Sequence, residues 1–413
     1  MPPEAPEAPE APEAAAPGSA PLTLSPARTP TGPLGYDAWR GTRFFACLDG
    51  LRALSILAVV WHHSGGDTAG LLGLTRGFLG VDVFFAISGF LIVTLLLRER
   101  DRRGRISLRG FYARRSLRIF PVYYAFLAAV ALLYVAFKPE DPTTGRILSD
   151  LPWAALYLSN LVPATAGVLA ITWSLSTEEQ FYLVWAPAEK FLKPVLVHAL
   201  LGGVILGSLA VNFGFFDGLL AEVYGVDPAT GGPRLLPLFG TTLLPMALGV
   251  VLAHAMHRPR GFAAVRAAAG FPAAPALFAA ALLGLVLLVP VDPRGWLRPL
   301  IHVAILALLA ALLLRDAGPV GRALRWKPLA RVGVVSYGLY LFHKPVTVAA
   351  EGAFAVAGLP GRDGGLLGRV LLTAAVMALT WLVAEASFRF FETPFLRLKK
   401  RFEATPAGAS DPR

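Results

Sequence analysis

The sequence predicts an all-α protein, a polytopic transmembrane helical bundle of about ten spans with both termini cytoplasmic, and three observations carry that reading. Of its 413 residues 55% are hydrophobic and only 16% are charged, where an ordinary soluble domain carries about 25% charged residues. The apolar residues gather in stretches of about twenty, the number a helix needs to cross ~30 Å of hydrocarbon at ~1.5 Å per residue. Blocks such as ALFAAALLGLVLLV and VAILALLAALLL lack the alternating polarity of a transmembrane β-strand.

Residues 1–35 open with PEAPEAPEAPEA and continue rich in Ser, Thr and Pro. Such a composition has too little to bury to offset the entropy of ordering, so a disordered tail is expected. It lacks the basic-then-apolar order of a signal peptide, and the first apolar block is expected to remain in the mature protein. The membrane domain is placed at 44–395, and 396–413 is read as a basic cytoplasmic tail. Within the domain the apolar blocks fall near 49–66, 78–97, 117–137, 172–191, 195–214, 235–256, 272–290, 298–315, 333–354 and 367–390. The stretch 151–170 is apolar but broken by Pro152, Asn160 and Pro163, and reads as a re-entrant or interfacial segment.

Lys and Arg in short loops set the orientation. The segment RERDRRGRISLRGFYARRSLR after the second block is read as cytoplasmic, and counting outward places Lys190 to Lys193, Arg258 to Arg266, Arg315 to Arg331 and the terminal RLKKR on the same side. The opposite loops, KPEDPTTGR and FDGLLAEVYGVDPATGG, are poorer in basic residues. The formal net charge of +11 is thus spread over connections, which points to membrane topology and lipid headgroups and away from nucleic acid. The single Cys47 excludes an intramolecular disulfide and a cysteine-based metal cluster, and no metal site, P-loop or dinucleotide fingerprint is apparent.

Ionisable groups inside spans are costly and mark function or a tight partner. In LDGLRALSILAVVWHHSG, Arg52 and His63 stand eleven residues apart, close to three turns, on one helix face about 16 Å apart in rise. GVDVFFAISGFLI places Asp82 at a depth similar to His63 on the antiparallel neighbour, within reach of it. WSLSTEEQFYLVW sets Glu178 and Tyr182 on one face and turns Glu179 about 100° away. SYGLYLFHKPV brings Tyr337, Tyr340 and His343 onto overlapping faces. Structural roles compete with these functional ones: intramembrane Tyr and Ser serve as interhelical glue, and Arg52 can snorkel to headgroups.

Taken in order, LDGLRALSILAVVWHH, GVDVFFAISGFLI, FYARRSLRIFPVYY, TWSLSTEEQFY, SYGLYLFHKPV and FFETPF resemble the acyltransferase 3 family of bacterial integral membrane O-acyltransferases, which modify O-antigen, peptidoglycan and macrolides. The resemblance covers about residues 44–395, and its most telling element is the Arg-x10-His spacing met by Arg52 and His63. It implies ten core spans in an inner (plasma) membrane, acyl-CoA, for instance acetyl-CoA, as a donor substrate entering from the cytoplasm with no permanently bound cofactor, and a carbohydrate or glycosylated acceptor. The hydrolase-like domain of some larger relatives is not expected.

An acceptor hydroxyl needs a base, and an imidazole titrating near neutrality suits the task, so His63 is the expected base, with Asp82, Glu178 or Glu179 as candidates to orient it. The phosphates of CoA call for guanidinium forks, which Arg114, Arg115 and Arg118 supply, the latter two matching the family's RR-x-x-RI-x-P pattern, with Arg52 further along the donor's arm. Trp173, Tyr182, Tyr340 and His343 are candidate substrate-binding residues. The competing reading is a transporter of a glycan or lipid-linked substrate, since midplane charges also mark transport pathways.

Overall fold

The computed structural model describes residues 32–42, 44–65, 76–161, 167–224, 243–288, 295–399 and 402, and these form helices and turns. In chain order the helices are α1 (Tyr36–Gly41), α2 (Ala46–His63), α3 (Leu79–Arg103), α4 (Leu108–Phe137), α5 (Pro142–Ala155), α6 (Thr172–Phe191), α7 (Pro194–Asn212), α8 (Asp217–Tyr224), α9 (Leu243–His257), α10 (Pro259–Ala269), α11 (Ala274–Leu288), α12 (Leu297–Leu314), α13 (Pro319–Leu324), α14 (Lys327–Val334), α15 (Ser336–Val356) and α16 (Gly365–Ala386). A π-helical turn at Ser387–Glu392 then leads into α17 (Thr393–Lys399).

Each of the ten apolar blocks contains a helix. Among the described residues, five helical segments are long and apolar enough to cross a membrane by themselves: α3, α4, α7, α12 and the run Gly365–Leu398. A sixth results if α10 and α11, bent by 69° to each other, count as one. The helices α2, α6 and α15 are of comparable length, 18, 20 and 21 residues, but carry the ionisable side chains of the site described below. Most of both predicted tails, and residues 235–242 of the sixth block, lie outside the described residues.

Two segments differ from the sequence reading. The basic stretch after α3, expected as one long connection, is helical except for Gly104 to Ser107. Gly104 adopts a left-handed φ of +66° that ends α3, and the Ser107 hydroxyl accepts a hydrogen bond from the Gly110 N–H at 3.2 Å to start α4. Arg114, Arg115 and Arg118 are therefore fixed on a helix. The second difference is α5, which begins inside the segment read as an outer loop: Asp141 accepts from the Thr143 N–H at 2.8 Å and Pro142 occupies the first helical position. At 14 residues α5 spans only ~21 Å, too short to cross hydrocarbon, in keeping with an interfacial rather than a spanning segment.

The helix α3 is the centre of the bundle, packing on α2, α6, α9 and α12. Its crossing with α9 is close because each helix offers a glycine: a Cβ on Gly89 would lie 2.1 Å from the Met246 carbonyl oxygen, and one on Gly249 would lie 2.3 Å from that of Ala86. Gly80 plays the same part toward α2, where a Cβ would meet the Ser55 carbonyl at 2.3 Å. These three contacts fix which way every other residue of α3 faces.

Candidate active site

One face of α3 forms the wall of a cavity. Val81, Phe84, Phe85, Ser88, Leu91, Ile92, Leu95, Leu96 and Glu99 recur at helical spacing, and all of them line a space of about 220 Å³. From Val81 to Glu99 the helix rises ~27 Å, close to the thickness of hydrocarbon. The facing wall is the first turns of α4, with Phe111, Arg114, Arg115, Arg118 and Ile119. Between them stand Arg52 from α2, Ser174 and Glu178 from α6, and Ser336, Tyr337 and Tyr340 from α15. All four arginines singled out in the sequence thus converge on one cavity whose other wall is apolar except for Ser88 and Glu99.

The polar groups of the cavity are held in place by neighbours. Arg114 donates to Glu99 Oε2 at 3.2 Å and to the Phe402 carbonyl at 2.6 Å. The Arg115 guanidinium lies over the Tyr182 ring, 4.1 Å from its centroid. Arg52 faces Asp49 at 3.9 Å, a long ion pair. The Ser88 hydroxyl donates to Glu178 at 2.8 Å, and Ser174 and Tyr340 share a hydrogen bond of 2.6 Å between their hydroxyls.

His63 and His343 lie apart from this lining. His343 is on α15, one turn beyond Tyr340, and its Nε2 is 3.0 Å from His63 Nδ1, with the rings stacked at a centroid distance of 4.9 Å. The other ring nitrogen of His343 is 2.6 Å from the Tyr340 carbonyl. Tyr340 therefore touches both regions, with its hydroxyl in the cavity and its carbonyl on the histidine pair.

The expected contact between Asp82 and His63 is not made. Asp82 Oδ2 instead accepts from Arg298 at 2.7 Å and lies 3.1 Å from His302 Nε2, both on α12. The reason is rotational: Gly80 faces α2, and two residues further on the side chain has turned about 200°. Arg298 and His302, an i,i+4 pair within an apolar helix, were missed, although ionisable groups at that spacing are a signal in themselves. Neither Glu178 nor Glu179 is hydrogen-bonded to His63. Glu178 is held by Ser88, and Glu179 Oε1 is buried without a hydrogen-bond partner. Trp173 packs edge-on against Phe85 at 6.1 Å behind the cavity wall, and the Tyr182 hydroxyl is buried and unpartnered, so neither side chain joins the lining. Ser88, one of the intramembrane serines, makes the interhelical contact expected of such residues by donating to Glu178.

Comparisons with known proteins show the family. The model of the acyltransferase 3 family, described as an acyltransferase domain, matches residues 45–385, and the chain belongs to that family. It is 30% identical over 375 residues to the peptidoglycan O-acetyltransferase OatA of Listeria monocytogenes, an alignment covering 85% of this chain and 56% of that protein. It is 29% identical over 383 residues to the O-acetyltransferase OatA of Staphylococcus aureus, covering 88% of this chain and 58% of the relative. The chain thus spans little more than half the length of these curated relatives. No solved structure matches it.

Proposed function

We propose that the protein is a multi-pass enzyme of the plasma membrane, with ten spans and both termini cytoplasmic, that transfers an acyl group from acyl-CoA, with acetyl-CoA the expected donor, to a hydroxyl of a carbohydrate or glycosylated acceptor. The observation that carries this reading is the convergence of Arg52, Arg114, Arg115 and Arg118 on a single cavity whose opposite wall is apolar except for Ser88 and Glu99. That pairing suits an anionic head joined to a long, weakly polar arm. At about 220 Å³ the cavity is smaller than the ~300–1,000 Å³ that enclose a whole drug-sized ligand, so it accommodates the pantetheine arm while the nucleotide and its phosphates rest on the arginines at the mouth. Membrane lipids border the same groove at Leu95, which is 53% exposed.

In this mechanism Arg115 and Arg118 bind donor phosphates, and Arg52 guides the arm along α2 toward His63. His63 removes the acceptor's hydroxyl proton as the oxygen attacks the thioester carbonyl carbon. The resulting oxyanion takes hydrogen bonds in a site shielded from water, where such bonds are worth more than in solvent. The C–S bond then breaks and the thiolate takes the acceptor's former proton from the His63 imidazolium, leaving as free CoA–SH. Glu178, bonded to Ser88, balances the arginines within the cavity. The relatives named as O-acetyltransferases, one of them acting on peptidoglycan, favour an acetyl group and a cell-envelope glycan.

Thiol release from labelled acetyl-CoA by protein in nanodiscs, with a panel of glycan acceptors, tests the proposal. Acceptor-dependent release that disappears in His63→Ala is expected. Binding without turnover in any acceptor, or turnover that survives His63→Ala, contradicts it, and an absence of CoA binding returns the weight to a transporter.

A further inference from the structure

The candidate carboxylates for His63 all lie elsewhere, which leaves open what holds its ring in a working state. We infer that His343 is the positioning residue of the transfer, keeping His63 in the one neutral tautomer able to accept the acceptor's proton. The inference rests on the proposal that His63 is the base.

The hydrogen bonds determine the tautomers in sequence. A carbonyl oxygen only accepts, so the 2.6 Å contact between His343 Nδ1 and the Tyr340 carbonyl requires the proton of His343 to sit on Nδ1. A neutral imidazole has one N–H, and His343 Nε2 is therefore a lone pair. That lone pair faces His63 Nδ1 at 3.0 Å, so His63 must donate from Nδ1. With its single proton placed there, His63 presents Nε2 as an acceptor, the form a general base needs. The opposite assignment puts two protons or two lone pairs against each other.

Both rings are held firmly enough for this to operate. His343 is fully buried, and Thr347 donates to its backbone carbonyl at 2.7 Å. At the end of α2, Arg362 donates to the His63 carbonyl at 3.1 Å and is itself paired with Glu351 on α15. During transfer the proton moves from the acceptor oxygen to His63 Nε2, the O–acyl bond forms and the C–S bond breaks. The imidazolium is steadied by the His343 lone pair, and its proton passes to the departing thiolate to give CoA–SH. A neutral partner stabilises that cation less than a carboxylate does, so the proton is held only briefly.

The test compares wild type with His343→Leu and His343→Gln in nanodiscs, measuring kcat at saturating acetyl-CoA and, separately, the Kd of acetyl-CoA. Leucine removes the acceptor, and kcat should fall by about 100-fold with Kd unchanged. Glutamine offers an oxygen that can accept the His63 N–H and should restore about tenfold of the loss. If the leucine variant does not insert, His343→Met serves in its place with the same expected fall. The inference is overturned if the apolar variant keeps kcat within about threefold, if glutamine restores nothing, or if the lost kcat is accompanied by lost donor binding. His63→Ala run in parallel separates the two claims: an inactive His63→Ala beside a fully active His343→Leu removes only the role of His343, whereas an active His63→Ala removes the base itself.

Discussion

The arginine-lined cavity and the histidine pair are built on different principles. At the arginine end four cations share one cavity, and three of them have separate partners: Arg114 on Glu99, Arg115 on the Tyr182 ring, Arg52 opposite Asp49. At the histidine end a single hydrogen bond of 3.0 Å links His63 to its partner. Binding spread over several charges tolerates the loss of one, because the remaining contacts still hold the ligand. Proton transfer through one ring nitrogen has no such reserve. Substitutions at the two ends should therefore differ in size and in the constant they change.

The largest effect is expected at His63, where alanine should lower kcat by at least 100-fold and up to about 10,000-fold, the usual range for removing a general base, with acyl-CoA affinity unchanged. Next comes the buried Asp82–Arg298 pair, away from both ends. Asp82→Asn leaves Arg298 without its counter-charge and should destabilise the fold by about 3–5 kcal/mol, seen as a lower Tm in detergent, while the protein that remains folded keeps its KM for donor. At the arginine end, Arg115→Ala or Arg118→Ala removes one charge-assisted contact worth about 1.5–3 kcal/mol, so KM for acyl-CoA should rise about tenfold to a hundredfold with kcat at saturation nearly preserved. The smallest effect belongs to Trp173→Leu, behind the cavity wall, where both constants should stay within about threefold of wild type; a large rise in acceptor KM would return Trp173 to the substrate site.

Much of this arrangement was legible in the sequence, and the errors have a common origin. Blocks of about twenty apolar residues placed the helices because a bilayer fixes length. The basic motif of α4 and the Arg-x10-His spacing of α2, both carried by the family resemblance, pointed to residues that line the cavity or form the histidine pair. Rotation between helices carried no comparable signal. Depth alone put Asp82 beside His63, whereas the glycine contact at Gly80 turned Asp82 toward α12, where Arg298 waited. His343, 280 residues from His63, was assigned to the substrate because only the packing of α15 against α2 brings the two rings together. Ser88 shows the same limit, since its partner Glu178 lies on another helix.

The most direct measurement is acetyl-CoA binding and transfer determined side by side on two variants, His63→Ala and Arg118→Ala, in the same nanodiscs. His63→Ala should bind donor as tightly as wild type and transfer nothing, while Arg118→Ala should bind weakly yet transfer at close to the wild-type rate once donor is saturating. Lost binding in His63→Ala, or a kcat in Arg118→Ala that saturating donor fails to restore, would show that the two ends do not divide the work in this way.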